Sequence, residues 1–374
     1  MPILSWKINA HPITLRTLLS STVLVCIGWV SILGNVAICS AEEAEHNEAK
    51  PWSQFLGPDR NGISAERGLI DSLEKQPVEV WRQPMVGGLS GIAISNDRLL
   101  TMSQSDGKQW LMALDAPSGK QLWKTPLANA YQNPMGNGPR ATPTIAGEMA
   151  YAYTGEGILT AVNVSDGKVA WSKNLPQELK SKPSEYGMSC SPLVVDSLVI
   201  VHVGGNGSAV VALDRTTGKI VWKGAESDAG YSSPVLMNLH SMPQVVSLLG
   251  NQITGFEPTT GKVLWSYPFV TEFSCNTACP IQIGNRVLLS AGENHGSVLL
   301  ELEPAKGAWQ VNEVWKSLAT NSSLRSEWQT PILLDGCLYG FDNVGSAGPV
   351  THLTCVDAAT GATLWKKLRV GKGN

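Results

Sequence analysis

The residues able to do chemistry are few and scattered. Beyond residue 41 the chain has five cysteines: Cys190, Cys275, Cys279, Cys337 and Cys355. The nearest pair is Cys275-Asn-Thr-Ala-Cys279. No Cys-Cys pair occurs, and no C-x-x-C-H run, so no attached haem is encoded. His202 lies mid-strand in VIVHVGG, where a packed imidazole is the expected role. His295 shares the hairpin tip GENHG with Glu293, and two donors do not make a metal site. His240 and His352 are isolated, and His46 stands in an acidic stretch. No H-E-x-x-H, G-x-S-x-G or Walker sequence is present. Glycine-rich tips such as GGNGSA lead into strands, so they lack the helix N-terminus that cradles phosphate. These residue types give no catalytic centre and no metal site.

A second set of side chains suits binding. The segments 129–141, 180–190, 224–232, 266–278 and 317–329 carry Tyr131, Arg140, Tyr186, Tyr231, Phe273, Arg325 and Trp328. Loops on a rigid scaffold are where binding residues concentrate, and Tyr, Trp and Arg dominate binding hot spots. The seven are the candidate binding face. The other reading of the same residues is that some of them plug a central channel.

What would position those loops is a repeat. LMALDAPSGKQLWK (111–124) returns as LTAVNVSDGKVAWSK, VVALDRTTGKIVWKG, ITGFEPTTGKVLWSY and LTCVDAATGATLWKK. Trp123, Trp171, Trp222, Trp265, Trp315 and Trp365 each end one copy, and Trp81 ends a degenerate earlier one. Their spacings are 42, 48, 51, 43, 50 and 50 residues, a period that signals a repeat architecture. Gly119, Gly167, Gly218, Gly261 and Gly361 stand four before the Trp, and Asp115, Asn163, Asp214, Glu257 and Asp357 eight before it. The fifth copy carries a four-residue insertion, which moves Glu303 and Gly307 farther from Trp315. A Ser/Thr/Cys-Pro step opens each unit, at Thr142, Ser191, Ser233, Cys279 and Thr330.

The repeated phrase has a local meaning. Val210, Ala212 and Asp214 alternate with Val211 and Leu213 as in a strand. The acid then opens a turn by accepting backbone N–H groups two residues on, and Gly218 supplies the positive φ that closes it. Proline is tolerated at the head of the first strand. Each unit therefore predicts four short antiparallel strands, and such units repeated at this period are β-propeller blades. The composition agrees: 37 Gly, 22 Pro and 13 Trp suit many strands and tight turns better than long helices. A Trp at one fixed place in every unit is expected to dock blade on blade, because stacked units must bury a continuous core.

The phrase A-x-D-x-x-T-G-x-x-x-W, closest at 113–123, 212–222 and 355–365, resembles the quinoprotein (PQQ) propeller repeat. That family includes PQQ-dependent alcohol dehydrogenases and the propeller lipoprotein of the outer-membrane barrel-assembly machinery. WSQFLGPDRNGIS (52–64), GPRATP (138–143), GYSSP (230–234) and GKGN (371–374) resemble a group of exported bacterial PQQ-binding-like propeller proteins. The resemblance covers about 51–374. It implies an all-β propeller of four-stranded antiparallel blades, six to seven blade equivalents. Relatives usually have seven or eight, so an incomplete ring is expected. It also implies an enzymatic alternative, a PQQ- and Ca²⁺-dependent alcohol or sugar dehydrogenase. The family's vicinal cysteines are lacking, and its Ca²⁺-binding acids find no matching positions.

The N-terminus reads as an export signal over 1–41. Lys7 and Arg16 precede an uncharged apolar run, and Glu42, Glu43 and Glu45 follow at once. The alternative is an uncleaved membrane anchor. An acidic linker over 42–50 then leads to the propeller domain, 51–374. Net charge is −3, and −5 without the first 41 residues, which excludes a nucleic-acid partner held by bulk electrostatics. The reading is an exported, non-catalytic propeller of the periplasm or cell envelope. It binds or scaffolds an envelope protein or peptide, with no cofactor expected, and touches the membrane only through an uncleaved N-terminus. The alternatives are the PQQ/Ca dehydrogenase and a carbohydrate-binding propeller. One pairing is specific: a hairpin centred on Ser346 puts Cys337 opposite Cys355, as one centred on Gly205 puts Leu198 opposite Ala212. The two cysteines are then either a disulfide, in an oxidising compartment, or adjacent thiols.

Overall fold

The computed structural model describes residues 50–68, 77–345 and 350–371, all within the compact unit 48–374. The export or anchor segment and nearly all of the acidic linker lie outside the described residues. Six four-stranded antiparallel sheets follow one another, spanning 92–129, 144–174, 193–224, 235–268, 281–318 and 332–371. In each, the strands pair in chain order, so every sheet is a simple meander. Among the described residues no helix is long and apolar enough to cross a membrane.

The turn chemistry follows the repeat. In the third blade Asp214 Oδ1 accepts from the Thr217 N–H at 2.8 Å, the Thr216 N–H at 3.2 Å and the Thr217 hydroxyl at 2.8 Å. Hydrogen bonding by Thr217, side chain first and then backbone, holds the Asp214 carboxyl below its ordinary range. Gly218 closes the turn at φ 69°. The expected in–out alternation is not what the strand shows: Val210, Val211, Ala212 and Leu213 are all buried. The reason is packing. Neighbouring blades cover both faces of the inner strands, which then read as continuous apolar runs.

The recurrent Trp meets the next blade's turn in one geometry. The Nε1–H groups of Trp81, Trp123, Trp171, Trp222 and Trp315 donate to the carbonyls of Ala116, Val164, Arg215, Pro258 and Ala358, at 2.9–3.1 Å. Each acceptor is the residue after the one that opens the turn, an acid in four blades and Asn163 in the second. Each ring lies over the turn glycine: a Cβ at Gly261 would fall 2.4 Å from the Trp222 ring. Trp265 departs from this pattern, its Nε1–H donating to Gln244 Oε1 of its own blade at 2.7 Å. The insertion in the next copy is the cause. It lengthens the last two strands of that blade, Gly296–Ala305 and Ala308–Leu318, and leaves Gly307 with nothing against it.

The blades do not close into a ring. Trp365, which ends the sixth, meets no following turn among the described residues and is 45% exposed. The lead-in does not become a closing strand either. Residues 51–63 run along the heads of the first strands, with Gly57 and Arg60 buried. The Ile94 N–H donates to the Trp52 carbonyl and the Ile145 N–H to that of Ser53. Arg60, 3% exposed, donates to the carbonyls of Ser191, Pro192 and Pro234, which joins the third blade to the fourth. Among the described residues its one side-chain acceptor is Gln54 Oε1, at 2.9 Å. Burial lowers its pKa to about 10.

The Ser/Thr/Cys-Pro steps form a relay around the lead-in. The Thr142 N–H donates to Ser191 Oγ, the Ser191 N–H to Ser233 Oγ and the Cys279 N–H to Thr330 Oγ1, each at 2.9 Å. The hydroxyl before the proline thus ties the head of one blade to the next, while the proline opens the strand.

The cysteine register is a correction. Cys337 pairs with Asp357 and Cys355 with Tyr339; in the third blade Leu198 faces Asp214, not Ala212. In that blade the Val203 N–H donates to Ala209 O and continues the same register, so the hairpin is symmetric about Asn206, one residue beyond Gly205. Cys337 and Cys355 become diagonal neighbours on one face, about 7–8 Å apart at the backbone and somewhat closer at Cβ, rather than the directly opposed pair expected. Both are free thiols. Burial and the Cys337 thiol beside it push the Cys355 pKa up.

Candidate functional site

The segments between blades gather on one end of the array, and a cavity of about 260 Å³ opens between them. Each of the five contributes to its wall: Met135 and Arg140, then Tyr186 and Ser189, then Tyr231, then Cys275 and Thr277, then Trp328. Leu89 lines the rim, and Phe55 of the lead-in supplies part of the wall from within. The strands fix these loops at both ends, so the cavity is formed by the scaffold rather than by any one loop.

Four of the seven candidate face residues meet there. Tyr186 and Tyr231 stack with ring centroids 5.8 Å apart and planes at 27°. The Tyr186 N–H donates to Tyr231 Oη at 3.2 Å, and Ser189 Oγ donates to the Tyr231 carbonyl at 2.8 Å. Burial pushes the Tyr231 hydroxyl up to about 12. Trp328 is 50% exposed at the rim. Arg140 lies 5.0 Å above the Tyr131 ring, and its terminal nitrogens donate to the carbonyls of Gly138 at 2.9 Å and Gly136 at 2.7 Å. Burial lowers its pKa. Among the described residues no carboxylate pairs with it.

The other three are placed elsewhere. Tyr131 packs behind the wall, its ring against Gly155 and Gly187. Phe273 lines a separate cavity of about 240 Å³ with Tyr231, Ser184 and Asp228, on a backbone at φ 54°. Arg325 is a correction: it is 3% exposed and faces inward. Its Nε and Nη2 grip Asp342 at 2.6 and 2.8 Å, and Lys366 reaches the same carboxylate at 2.7 Å. A loop position promises exposure, but a carboxylate seventeen residues on pulls this guanidinium into the core.

Two acids near the wall were passed over as chemistry. Glu327 precedes Trp328, is 6% exposed, and lies against Gly292. Its Oε2, like Oε2 of Glu293, has no hydrogen-bond partner among the described residues. Burial, and then Glu293, raise the Glu327 carboxyl to about 7. Burial, then Glu293, Glu327 and Glu185, push the Cys275 thiol on the cavity wall up to about 12. Glu293 is also raised, by burial and by Glu272. The signal available in the sequence was the tip GENHG together with SEW, 34 residues on from Glu293 to Glu327. No group of three His, Cys, Asp or Glu side chains able to hold a metal occurs among the described residues. His202 is fully buried and pushed down to about 3 by burial.

Comparison with known proteins locates this arrangement. A family model described as outer membrane protein assembly factor BamB, of PQQ_2 type, matches residues 66–181 and 107–367. Outer membrane protein assembly factor BamB of Yersinia pestis is 21% identical over 229 residues, 60% of this chain and 56% of that protein. Quinohemoprotein alcohol dehydrogenase ADH IIB of Pseudomonas putida is 29% identical over 150 residues, 36% of this chain and 20% of the enzyme. The chain thus spans little more than half of the one and a fifth of the other. The crystal structure of BamB from Moraxella catarrhalis superposes with a TM-score of 0.50 at 16% identity, covering 75% of this chain and 76% of that one, a likeness of fold.

Proposed function

Because the chain belongs to the family described as outer membrane protein assembly factor BamB, we propose that it is a non-catalytic binding or scaffolding module of the cell envelope. It is exported by the segment 1–41 and holds a protein or peptide partner on the loop face. The observation that carries this reading is the cavity walled by one segment from every gap between blades, with Tyr231 stacked inside and Trp328 half exposed at the rim. Aromatic anchors in a preformed concavity are the usual centre of a protein interface. The recurrent tryptophans belong to the same reading as docking residues, which keep the loop-bearing blades in fixed relation.

The dehydrogenase alternative is disfavoured by the cavity's charges. PQQ carries three carboxylates, whereas this wall has one cation, Arg140, and each of its terminal nitrogens already gives one N–H to the carbonyls of Gly138 and Gly136. Glu185, Glu293 and Glu327 all act on Cys275. These residues do not fit that cofactor. The test of the binding reading is the double substitution Tyr231→Ala/Trp328→Ala in a tagged chain. It is expected to melt within a few degrees of the parent and to lose its partner in pull-downs from envelope extract. Retention of the same partner would place the binding surface on another part of the blades. Arg140 is left intact because it braces its own loop.

A further inference from the structure

Residues 77–83, PVEVWRQ, sit where a fourth strand belongs, without a blade to carry it. Trp81 lies over Gly119 and donates to Ala116 O at 2.9 Å, as the tryptophans of true fourth strands do. Two residues on, Gln83 Nε2 donates to Gly119 O at 2.9 Å. Two residues after Trp123, Thr125 Oγ1 donates to Gly167 O at 2.6 Å in the same way. One side of the segment is thus docked on the first blade in the repeat's own register. The other side and both backbone edges are bare. No backbone N–H or carbonyl of 77–83 is hydrogen-bonded among the described residues. Val80 is 81% exposed, whereas Val221, which precedes Trp222 in a complete blade, is 52% exposed. An extended segment with open backbone edges is the surface to which a strand adds. Pro77 and Pro84 bracket it, and neither can donate to a ladder.

The complete blades specify what the added strand must be. In each, a residue of the third strand stands opposite the Trp: Ala113, Ala161, Ala212, Gly255, Leu299 and Cys355. Five of the six are small. Opposed Cβ atoms lie about 4.5–5.5 Å apart, so a bulky residue there competes with the indole for space. The residue opposite the next position is β-branched in five blades, Met112 being the exception.

We infer that 77–83 is a docking edge for an uncharged β-strand of a partner polypeptide, added antiparallel, with a small residue opposite Trp81 and a β-branched one opposite Arg82. Main-chain hydrogen bonds supply the affinity and the alternate side chains the selectivity. A second copy of the chain does not match this description. Each of its third strands is already paired on both edges. Its outer strands, such as Gln121–Asn129 and Thr363–Gly371, carry lysines and the tryptophan itself. The inference is independent of the loop face.

The full purified chain is titrated with the peptide Ac-SAVVALDRTTGK-NH₂, which copies residues 208–219, and followed by hydrogen exchange with mass spectrometry. The expected result is saturable binding that slows exchange of the 78–83 amides at least about tenfold and leaves the outer strands of the blades unchanged. The same peptide with Ala212→Trp should bind at least about tenfold more weakly, because its opposed residue is then bulky. Successive residues of a strand pair through opposite edges. Of Glu79→Pro and Val80→Pro in the full chain, one should therefore abolish the protection and the other keep it. Both variants should melt within a few degrees of the parent, since neither removes a backbone hydrogen bond. Equal effects of the two prolines, equal binding of the Ala212→Trp peptide, protection confined to Thr363–Gly371, or no binding each overturns the inference. So does protection of 78–83 that appears with rising protein concentration and no peptide, which makes a second copy the occupant.

Discussion

Trp222→Ala is expected to destabilise the propeller by about 3–5 kcal/mol, the range for truncating a buried aromatic. Trp222 is 6% exposed, stacks on Phe256 with centroids 5.8 Å apart, and donates to Pro258 O across the blade boundary. Its removal opens a cavity and leaves that carbonyl unpaired. Gly261 lies directly beneath the ring, so its own blade offers no side chain to fill the space. Trp81→Ala is the internal control. It makes the same contacts, to Ala116 O and Gly119, from the extended segment 77–83, which pairs with no strand among the described residues. Its loss frees fewer packed neighbours and should cost markedly less. Urea unfolding of the two variants decides the matter: equal and small shifts in midpoint would show that the tryptophans do not hold blade to blade.

Asp342→Ala should cost a similar amount, about 3–5 kcal/mol, because it strips the shared anion from a buried guanidinium. Asp342 is fully buried, and Arg325 on it is 3% exposed, with Lys366 on the same carboxylate. Burial by itself would raise this carboxyl; the bonds from Arg325 and Lys366 outweigh it and hold the pKa below the ordinary value. A folded-state pKa lower than the unfolded one gives stability that is complete above the unfolded value, about 3.9. That stability is lost as pH falls through the folded value. The gap in melting temperature between parent and Asp342→Ala should therefore be full at pH 7 and shrink toward pH 3. A gap that stays constant over that interval would mean that the ion cluster is not what stabilises the sixth blade.

Much of this architecture was legible because the repeat writes its own turn. Asp214, Gly218 and Trp222 each have one physical task, and recurrence at a 42–51-residue period made the tasks visible. What escaped were interactions that join distant positions once only. Arg60 occurs in a single lead-in, GPDRN, and nothing in its neighbours says that its guanidinium will end among the carbonyls of Ser191, Pro192 and Pro234. The Ser/Thr before each proline was legible as a strand head. Its acceptor role was not, because the donor lies a whole blade away. Arg325 was assigned to the face from its loop, and Asp342 decided otherwise. The cysteine register failed by two residues because the hairpin centre was set one residue too early: the pairing runs symmetrically from Cys337 and Asp357 to Val344 and Val350. Tyr186, Tyr231 and Trp328 meet at one cavity, whereas the Tyr131 and Phe273 rings of the same loops turn behind its wall and into a second cavity, a choice that the loop sequences do not reveal.

Apart from the lead-in, the described contacts between blades join neighbours, which makes the six blades close to a one-dimensional stack whose cohesion is a sum of nearest-neighbour terms. A closed ring would give every blade two neighbours. Here the first and sixth have one each, and the sixth ends in a half-exposed Trp365. Opening then costs least at the two ends and most in the middle, where Arg60 adds a staple between the third and fourth blades. Amide exchange is thus expected to be graded rather than all-or-none. Exchange should be fastest along Thr363–Gly371 and slowest in Val210–Asp214 and Met242–Leu248, with the described blades unravelling inward from their edges like a stack of cards pinned at the centre.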